Sequence, residues 1–478
     1  MNPTLRTRIA SFALTLAFAL AGATAARAEA PALAGAGHWE GAIVLPGQEL
    51  GIKVDLAENG GAWTGTIDIP MQGATGLPLV NVRAAGDSLV FAIAKVPGTP
   101  TFHGLLANDR LTGDFTQSGM SFPFQLGREV TAGPARPQEP QPPFPYRSEE
   151  VTYRNGDVVL AGTLTLPEGP GPFPAAVLLT GSGAQNRDEE LFAHKPFLVL
   201  ADHLTRAGVA VLRADDRGVG GSTGSVSLAT TADFADDALA GVALLRARPD
   251  IAGGCVGLIG HSEGGIAAPL AAANAPEAVD FVVLLAGTGV PLGEVILRQA
   301  ELIMKAGGTD STTIADELAQ TRLALGRLAA GADSAAIRAD LEQLALAQQA
   351  AHPDRAKDPA ALKSMLDAAV SGMITPWFRY ATALDPRVAL REVRCPVLAL
   401  NGGRDLQVDP DQNLTEIERA LREGGNPDLT VRRLPGLNHL LQTAATGHPS
   451  EYGQITETMS PTALDAVRDW ILARCPTR

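Results

Sequence analysis

Cysteine is scarce in this chain, with three in 478 residues. That number excludes a disulfide-dense scaffold and a four-cysteine metal site. Basic residues are also outnumbered, since 38 Lys and Arg stand against 52 Asp and Glu and the formal net charge is −14. This balance argues against a nucleic-acid-binding protein, which would carry a basic surface. Aromatic residues make up only 5% of the chain, so a local cluster of them is informative.

The N-terminus of the chain carries a long apolar stretch. Arg6 and Arg8 precede an apolar run over residues 9–21, which a small-x-small motif follows. These features are typical of a secretory signal, and the run is too short for the ~20 residues of a membrane span. We predict a signal peptide over residues 1–28 with cleavage after Ala28. The expected protein is periplasmic or secreted, with no stable membrane insertion.

A proline-rich stretch divides the rest of the chain. Before it, alternating apolar and polar residues are separated by Gly, Asn and Asp turns, a pattern that indicates β-strands. We predict an all-β meander over residues 37–130 that closes into a small barrel or sandwich. The prolines themselves predict a semi-rigid linker over residues 131–147. The β module shows no catalytic constellation, so we expect a packing or positioning role, with ligand binding as the alternative.

After the linker, apolar β-branched runs alternate with helical patterns over residues 148–478. Such runs suit strands that are buried on both faces of a parallel sheet, and the alternation predicts a doubly wound α/β sheet. A preceding pair of strands, at residues 151–154 and 158–166, would cover one sheet edge. The predicted buried strands are Ala175–Thr180, Gly208–Arg213, Cys255–Ile259, Phe281–Leu285 and Val397–Leu400.

A nucleophile motif follows the third of these strands. Gly260-His261-Ser262-Glu263-Gly264 lies between the strand Cys255–Ile259 and an Ala-rich helical pattern at residues 266–273. Small residues at the first and last positions of G-x-S-x-G let the chain turn sharply and expose the serine hydroxyl. We therefore predict Ser262 as a nucleophile, with the backbone N–H of Glu263 as one oxyanion donor.

A serine nucleophile needs a histidine base and an acid that orients it. In a strand-to-helix elbow of this kind the order along the chain is serine, acid, histidine. His439 follows a strand-like run at residues 429–434, where a base belongs, whereas His448 lies in what reads as an ordinary loop. We predict His439 as the base and keep His448 as its rival.

The acid is expected one strand earlier. Asp405 lies in the loop at the carboxyl end of the predicted strand Val397–Leu400. Asp409 and Asp411 are rivals that lie further from the strand exit and suit turn formation or helix capping. We predict Asp405 as the orienting acid.

The second oxyanion donor should come from the loop after the first buried strand. That loop begins Gly181-Ser182-Gly183-Ala184, and glycine lets the backbone approach a substrate closely. We predict the backbone N–H of Ser182 as the donor, with Gly183 as the alternative. The polar residues that follow, 185–189, shape the site entrance or brace the loop.

About 105 residues separate Gly289 from Arg394, far more than a plain connection needs. Ala- and Leu-rich segments in this region have helical periodicity. We predict a helical lid over residues 290–390. Its aromatic cluster is expected to line a substrate pocket or to pack the lid onto the core; the cluster consists of Trp377, Phe378 and Tyr380.

Together these motifs give the chain a family resemblance over residues 148–478. It resembles exported α/β-hydrolases of the serine aminopeptidase and dienelactone-hydrolase-like group, close to bacterial esterases with an N-terminal β domain. The resemblance implies an α/β-hydrolase fold, with the segment Asp216-Arg217-Gly218 as a structural turn beside the site. The chain departs from many esterases at Leu179-Thr180, where they carry a histidine before the glycine, so substrate preference does not transfer directly.

These observations predict a carboxylesterase that acts on a small-molecule ester without a cofactor or metal. Three alternatives remain: a serine peptidase or aminopeptidase on the same fold, an acyltransferase, and an envelope-binding protein with an inactive hydrolase domain. The sequence leaves open whether Cys395 and Cys475 form a disulfide in an oxidising compartment.

Overall fold

The computed structural model describes residues 35–475, apart from residues 46–47, 70–73, 95, 97, 99, 118–119, 129–134 and 352–358. The predicted signal peptide lies outside the described residues, as does the start of the predicted linker. Within them, no helix is long and apolar enough to cross a membrane.

Eight antiparallel strands form a closed barrel in the N-terminal part, because the last strand pairs back with the first. Alternate side chains along each strand point inward and fill the interior. Trp39 and Phe102 are fully buried there, and the Arg128 guanidinium lies 3.8 Å from the centre of a Trp39 ring. The all-β prediction is confirmed. The strands are β1 (Gly37–Leu45), β2 (Gln48–Asn59), β3 (Ala62–Ile69), β4 (Ala74–Ala85), β5 (Ser88–Ile93), β6 (Thr101–Ala107), β7 (Arg110–Gln117) and β8 (Met120–Gly127).

The proline-rich segment is attached to the α/β part of the chain. The Arg136 guanidinium donates four hydrogen bonds of 2.5–3.0 Å to backbone carbonyls. Gln138 adds bonds to the backbone at Thr458 and Met459. Two loops of the α/β part are therefore tied to this segment. The four carbonyls belong to Phe192, Ala193, Gly453 and Ile455.

An eight-stranded, mostly parallel sheet forms the centre of the α/β part. Its spatial order is β16-β15-β14-β13-β11-β12-β10-β9. Strand β10 runs antiparallel to both of its neighbours and, with β9, closes one edge as predicted. The strands are β9 (Arg147–Asn155), β10 (Val158–Leu166), β11 (Phe173–Leu179), β12 (Ala210–Ala214), β13 (Ile251–His261), β14 (Val282–Leu285), β15 (Val397–Gly402) and β16 (Leu429–Leu434).

Helices cover both faces of this sheet. On one face α2 (Thr231–Arg246), α3 (Gly264–Asn274), α9 (Pro386–Glu392) and α10 (Pro410–Glu423) enclose one apolar core. On the other face α1 (Pro196–Arg206) and α11 (Pro461–Arg474) enclose a second core. Two helical layers around a mostly parallel sheet make this the α/β-hydrolase arrangement that the sequence predicts.

A helical insertion lies between β14 and α9. The predicted helices of this region are present, and they pack around an apolar core of their own that includes Leu328, Ile337, Leu341 and Leu366. The helices are α4 (Leu292–Ala306), α5 (Ser311–Ala329), α6 (Ser334–Ala351), α7 (Pro359–Met373) and α8 (Pro376–Ala383).

The disulfide is not the Cys395–Cys475 pair that the sequence left open. Cys475 forms a disulfide with Cys255, across a Cα–Cα distance of 6.0 Å, and Cys395 is free. Strand β13 begins beside the end of α11, so the partner of Cys475 is brought close by the fold rather than by sequence proximity. The bond ties the C-terminal helix to the strand that ends in the nucleophile motif.

Candidate active site

The turn after β13 has the strained geometry expected of a nucleophile elbow. Ser262 has φ of +51°, a left-handed conformation that non-glycine residues adopt only at a cost. Its N–H donates to the Leu285 carbonyl at 2.9 Å, and its carbonyl accepts from the N–H of Gly265 at 2.9 Å. These bonds hold the serine at the carboxyl edge of the sheet, at the start of α3.

Close backbone approach explains the glycines of the elbow. A Cβ atom at Gly260 would lie 2.0 Å from the Gly264 carbonyl oxygen, and one at Gly264 would lie 2.2 Å from the Leu179 carbonyl oxygen. Neither position can hold a side chain without a shift of the backbone. The motif is thus required by packing between β13, α3 and β11.

The predicted base and acid lie together at the same sheet edge. The ring Nδ1–H of His439 donates to Asp405 Oδ2 at 2.8 Å, and both side chains are buried. The other oxygen of Asp405 accepts from the N–H groups of Gln407 and Val408, each at 2.8 Å. Among the described contacts there is no hydrogen bond between the Ser262 hydroxyl and His439; such bonds are often long before substrate binds.

The rival residues have structural roles. His448 accepts from the N–H of Ser450 as the cap of a short 3₁₀ helix. Asp409 caps α10, and its Oδ2 forms a salt bridge with Arg298 Nε at 2.7 Å. Asp411 is exposed and pairs with Arg433.

The oxyanion loop leaves suitable donors open. Gly181 packs against the nucleophile, since a Cβ on it would lie 3.3 Å from Ser262 Cβ. Its N–H donates to Glu189 Oε1 at 2.6 Å, and the N–H of Gln185 donates to the Asp216 carboxylate. Over the described residues, the N–H groups of Ser182, Gly183 and Glu263 have no protein acceptor. Both predicted donors are therefore available to a ligand.

A partly buried carboxyl braces this loop. Asp216 accepts from the Thr180 hydroxyl at 2.8 Å and from the Gln185 N–H at 2.9 Å. Burial raises the pKa of Asp216 to about 7, and the nearby Glu263 and Glu189 carboxyls add to the shift. Arg217 in the same turn pairs with Asp233 and Asp237 and so has the structural role that the resemblance implied.

The carboxyl of Glu263 links the elbow to helix α8 of the insertion. It is 6% exposed, and its Oε1 accepts from the Thr231 hydroxyl at 2.7 Å and from the Trp377 indole N–H at 2.6 Å. Burial raises the pKa of Glu263. The other members of the predicted aromatic cluster do not contact Glu263 by a described hydrogen bond. Phe378 lies edge-on to Trp377 and packs against the core of the insertion, and Tyr380 is half-buried toward Asp233.

Two cavities adjoin these elements. One lies beside the elbow and is lined by Thr180, Asp216, Phe234 and Glu263, among others. The second, of about 440 Å³, lies between α4, α5 and α8, and Leu297, Leu325 and Arg379 line it. Trp377, Phe378 and Tyr380 line neither. Within the described part of the chain, no group of three or more His, Cys, Asp and Glu side chains is placed to hold a metal ion.

Two buried residues beside the site, His261 and Glu189, have no individual role in the sequence prediction. His261 precedes the nucleophile, and its ring bonds Glu189, 72 residues earlier. No local pattern signals this contact; only the polarity of the loop 185–189 hinted at a bracing function.

Comparison with known proteins gives a family and a relative. The family described as X-Pro dipeptidyl-peptidase (S15 family) matches residues 155–433, more than half of the chain. Esterase EstD of Thermotoga maritima is 28% identical over 300 residues, which are 63% of this chain and 61% of that protein. The chain thus spans about three fifths of the length of this curated relative.

Solved structures with a similar arrangement include two hydrolases. An esterase from Pyrococcus furiosus has 15% identity and a TM-score of 0.42, with 72% of this chain and 99% of that chain covered. A dienelactone hydrolase from Anabaena variabilis has 18% identity and a TM-score of 0.36, with 70% and 100% covered.

Proposed function

Because the chain belongs to the X-Pro dipeptidyl-peptidase (S15) family of hydrolases, we propose that it is a serine hydrolase that cleaves carboxylic esters through an acyl-enzyme intermediate. The relative named as an esterase favours an ester as the substrate. No cofactor takes part in this scheme.

The proposed reaction has two halves. The Ser262 oxygen attacks the ester carbonyl carbon while His439 takes the hydroxyl proton, and Asp405 stabilises the resulting imidazolium. The N–H groups of Ser182 and Glu263 stabilise the oxyanion. The alcohol leaves with the proton from His439. Water then attacks the acyl-serine with the same base, which releases the carboxylic acid and restores Ser262.

One observation carries the proposal: Ser262 has a left-handed φ of +51° on an elbow that also exposes an unpaired N–H at Glu263. A strained serine beside an open donor is the geometry that acyl transfer needs. The short bond between His439 and Asp405 supports the roles of base and orienting acid.

A second candidate is a peptidase, which the family description favours. Its triad would be the same, so only the substrate separates the two. A peptidase would prefer an aminoacyl-proline amide, whereas an esterase would prefer a simple acyl ester.

A substrate panel tests the proposal. We expect kcat/KM for p-nitrophenyl esters of graded acyl length to exceed kcat/KM for a Gly-Pro p-nitroanilide, and Ser262→Ala to abolish both activities. The matched control is Ser88→Ala on barrel strand β5, which should change neither. Faster amide turnover would establish the peptidase instead, and ester turnover by Ser262→Ala at the wild-type rate would remove the nucleophile assignment.

A further inference from the structure

A buried histidine–glutamate pair lies against the elbow and takes no part in the proposed reaction. The Nδ1 of His261 lies 2.9 Å from Glu189 Oε1, and its Nε2 lies 3.1 Å from the backbone carbonyl oxygen of His439. Glu189 is 2% exposed and His261 is 7% exposed. The His261 and His439 rings are 4.9 Å apart, centre to centre.

Both ring nitrogens of His261 face oxygen acceptors. A carbonyl oxygen cannot donate, so Nε2 must carry a hydrogen to bond His439. A neutral ring with that hydrogen would direct the Nδ1 lone pair at the Glu189 carboxylate. Two acceptors that face each other without a shared hydrogen are costly when buried. An imidazolium avoids this cost, because it donates from Nδ1 to Glu189 and from Nε2 to the His439 carbonyl.

The pair joins three segments whose relative positions matter for catalysis: the oxyanion loop, the elbow and the loop of His439. Glu189 Oε1 also accepts from the N–H of Gly181, the first residue of the oxyanion loop. His261 belongs to the elbow, and the carbonyl that it binds belongs to the proposed base. Glu189 has φ of +51°, a conformation that persists only where surrounding contacts enforce it.

We propose that His261, held as an imidazolium by Glu189, is a positioning residue that fixes the loop of His439 relative to the nucleophile and the oxyanion loop. This inference rests on the proposed function, because it assigns His261 a part in the same reaction. His261 acts through other residues and is not itself placed on the substrate.

The charge of this pair makes activity depend on pH. Burial alone would lower the pKa of His261, but the Glu189 carboxylate, its hydrogen bond and the His439 carbonyl outweigh burial and raise the pKa, with Asp405 adding to the rise. The groups that face His261 are thus Glu189, Asp405 and His439. Charged His261 stabilises the folded protein fully at pH values below the pKa of about 6.5 that a histidine has in the unfolded chain. This stabilisation is lost as the pH rises through the higher pKa of His261 in the folded protein. We expect kcat to fall on the alkaline side for this reason.

Substitution of the histidine gives the first test. His261→Gln supplies an amide that can donate to only one of the two acceptors at a time and does not titrate. We expect kcat to fall roughly tenfold to hundredfold, as for a small misplacement of catalytic groups, KM to change little, and the alkaline fall of kcat to disappear. The matched control, His103→Gln on the exposed face of barrel strand β6, should keep the wild-type profile. An unchanged alkaline limb in His261→Gln would overturn the proposal.

Substitution of the glutamate gives a second test that does not depend on the first variant folding. Glu189→Gln removes the negative charge but keeps an oxygen for the Gly181 N–H. We expect the alkaline fall of kcat to move to lower pH, whereas Glu168→Gln, in an exposed loop, should not move it. A profile that stays in place contradicts the assigned role.

A spectroscopic readout separates this inference from the proposed function. In the Ser262→Ala protein at neutral pH, the His261 ring should show two nitrogen-bound protons by ¹⁵N and ¹H NMR, assigned by their loss in Ser262→Ala/His261→Gln. A single ring proton would overturn the inference even if ester turnover is confirmed. Two ring protons in a protein whose Ser262→Ala variant still turns over ester would uphold the pair and reject the nucleophile.

Discussion

At the scale of single residues, the elbow depends on a glycine that no side chain can replace. We expect Gly260→Ala to lower the free energy of unfolding by about 3 kcal/mol or more, because its Cβ would lie 2.0 Å from the Gly264 carbonyl oxygen. Gly254→Ala on the same strand β13 is the matched control, since nothing lies within 4 Å of a Cβ there. Urea unfolding compares the two, and equal stabilities would contradict the packing account.

The orienting acid gives a kinetic prediction. Asp405→Asn keeps the shape of the side chain but favours the wrong tautomer of His439, so kcat should fall by about 10⁴ with little change in KM. Asp411→Asn, at an exposed position of the next helix, should leave kcat unchanged. Ester hydrolysis at saturating substrate measures both. A fall of less than tenfold in Asp405→Asn would assign the role of orienting acid to another residue.

The predicted site residues could be found because each lies in a short local pattern at a strand end. Ser262 has its G-x-S-x-G motif, and Asp405 and His439 each lie in the loop that follows a parallel strand. The bond between His261 and Glu189 could not be predicted, because it joins side chains 72 residues apart. Such a contact exists only once β11 and β13 have paired.

At the scale of secondary-structure elements, helix α8 contacts the elbow through one indole. Trp377→Phe keeps an aromatic ring but removes one of the two hydrogen bonds to Glu263 Oε1, and the Thr231 hydroxyl remains as its donor. Loss of one such hydrogen bond costs about 1 kcal/mol. We expect kcat/KM for an ester to fall about tenfold, because the Glu263 N–H is a proposed oxyanion donor. Trp63→Phe in the barrel is the control and should have no effect on turnover. Unchanged kinetics in Trp377→Phe would show that α8 does not act on the site.

The proline-rich segment is expected to stabilise the α/β part to which it is bonded. Because the Arg136 guanidinium bonds four carbonyls, we expect Arg136→Ala to lower the free energy of unfolding by about 2 kcal/mol. Arg154→Ala, at an exposed position on β9, should change it little. Thermal melts of the two variants measure the difference, and equal melting temperatures would mean that the attachment contributes no stability.

Elements with a continuous pattern could be predicted closely. The limits of β16 match the sequence prediction, whereas β13 starts at Ile251, four residues before the predicted Cys255. The extra residues include the exposed Gly253 and Gly254, which carry no apolar signal. Ile251 pairs with Phe173 of β11 across a bulge, and this pairing makes Gly253 and Gly254 part of the strand. The strand start therefore depends on a contact with a distant segment, which a local pattern does not show.

At the scale of the whole molecule, the disulfide joins distant parts of the chain. We expect Cys475→Ser to lower the free energy of unfolding by roughly 2–5 kcal/mol, because it removes the bond to Cys255. Cys395→Ser is the control, since that thiol is free. Chemical unfolding with and without reductant measures the effect. If reductant leaves the wild type as stable as before, the bond is absent or does not contribute.

The same bond bears on where the protein acts. We propose that the chain is exported and processed after Ala28, which the basic and apolar N-terminal residues support. A disulfide favours an oxidising compartment such as the periplasm or the extracellular space. N-terminal sequencing of the mature protein should begin at Glu29. A chain that keeps its first 28 residues in the cytoplasm would contradict this proposal.

The sheet order and its helical layers could be predicted as a class from alternating strand and helix patterns. The cysteine partners could not, since pairing depends on the position of α11 beside the start of β13. We propose that the insertion acts as a lid. Among the described residues of the insertion, Trp377 supports this role through its hydrogen bond to Glu263 of the elbow.

The central claim is that Ser262 is a nucleophile activated by His439, and covalent labelling tests it most directly. We predict that a fluorophosphonate adds once per chain, that peptide mass spectrometry places the adduct on Ser262, and that His439→Ala slows labelling by several orders of magnitude. An adduct on another residue, or ester turnover that persists when Ser262 is replaced by alanine, would contradict the account.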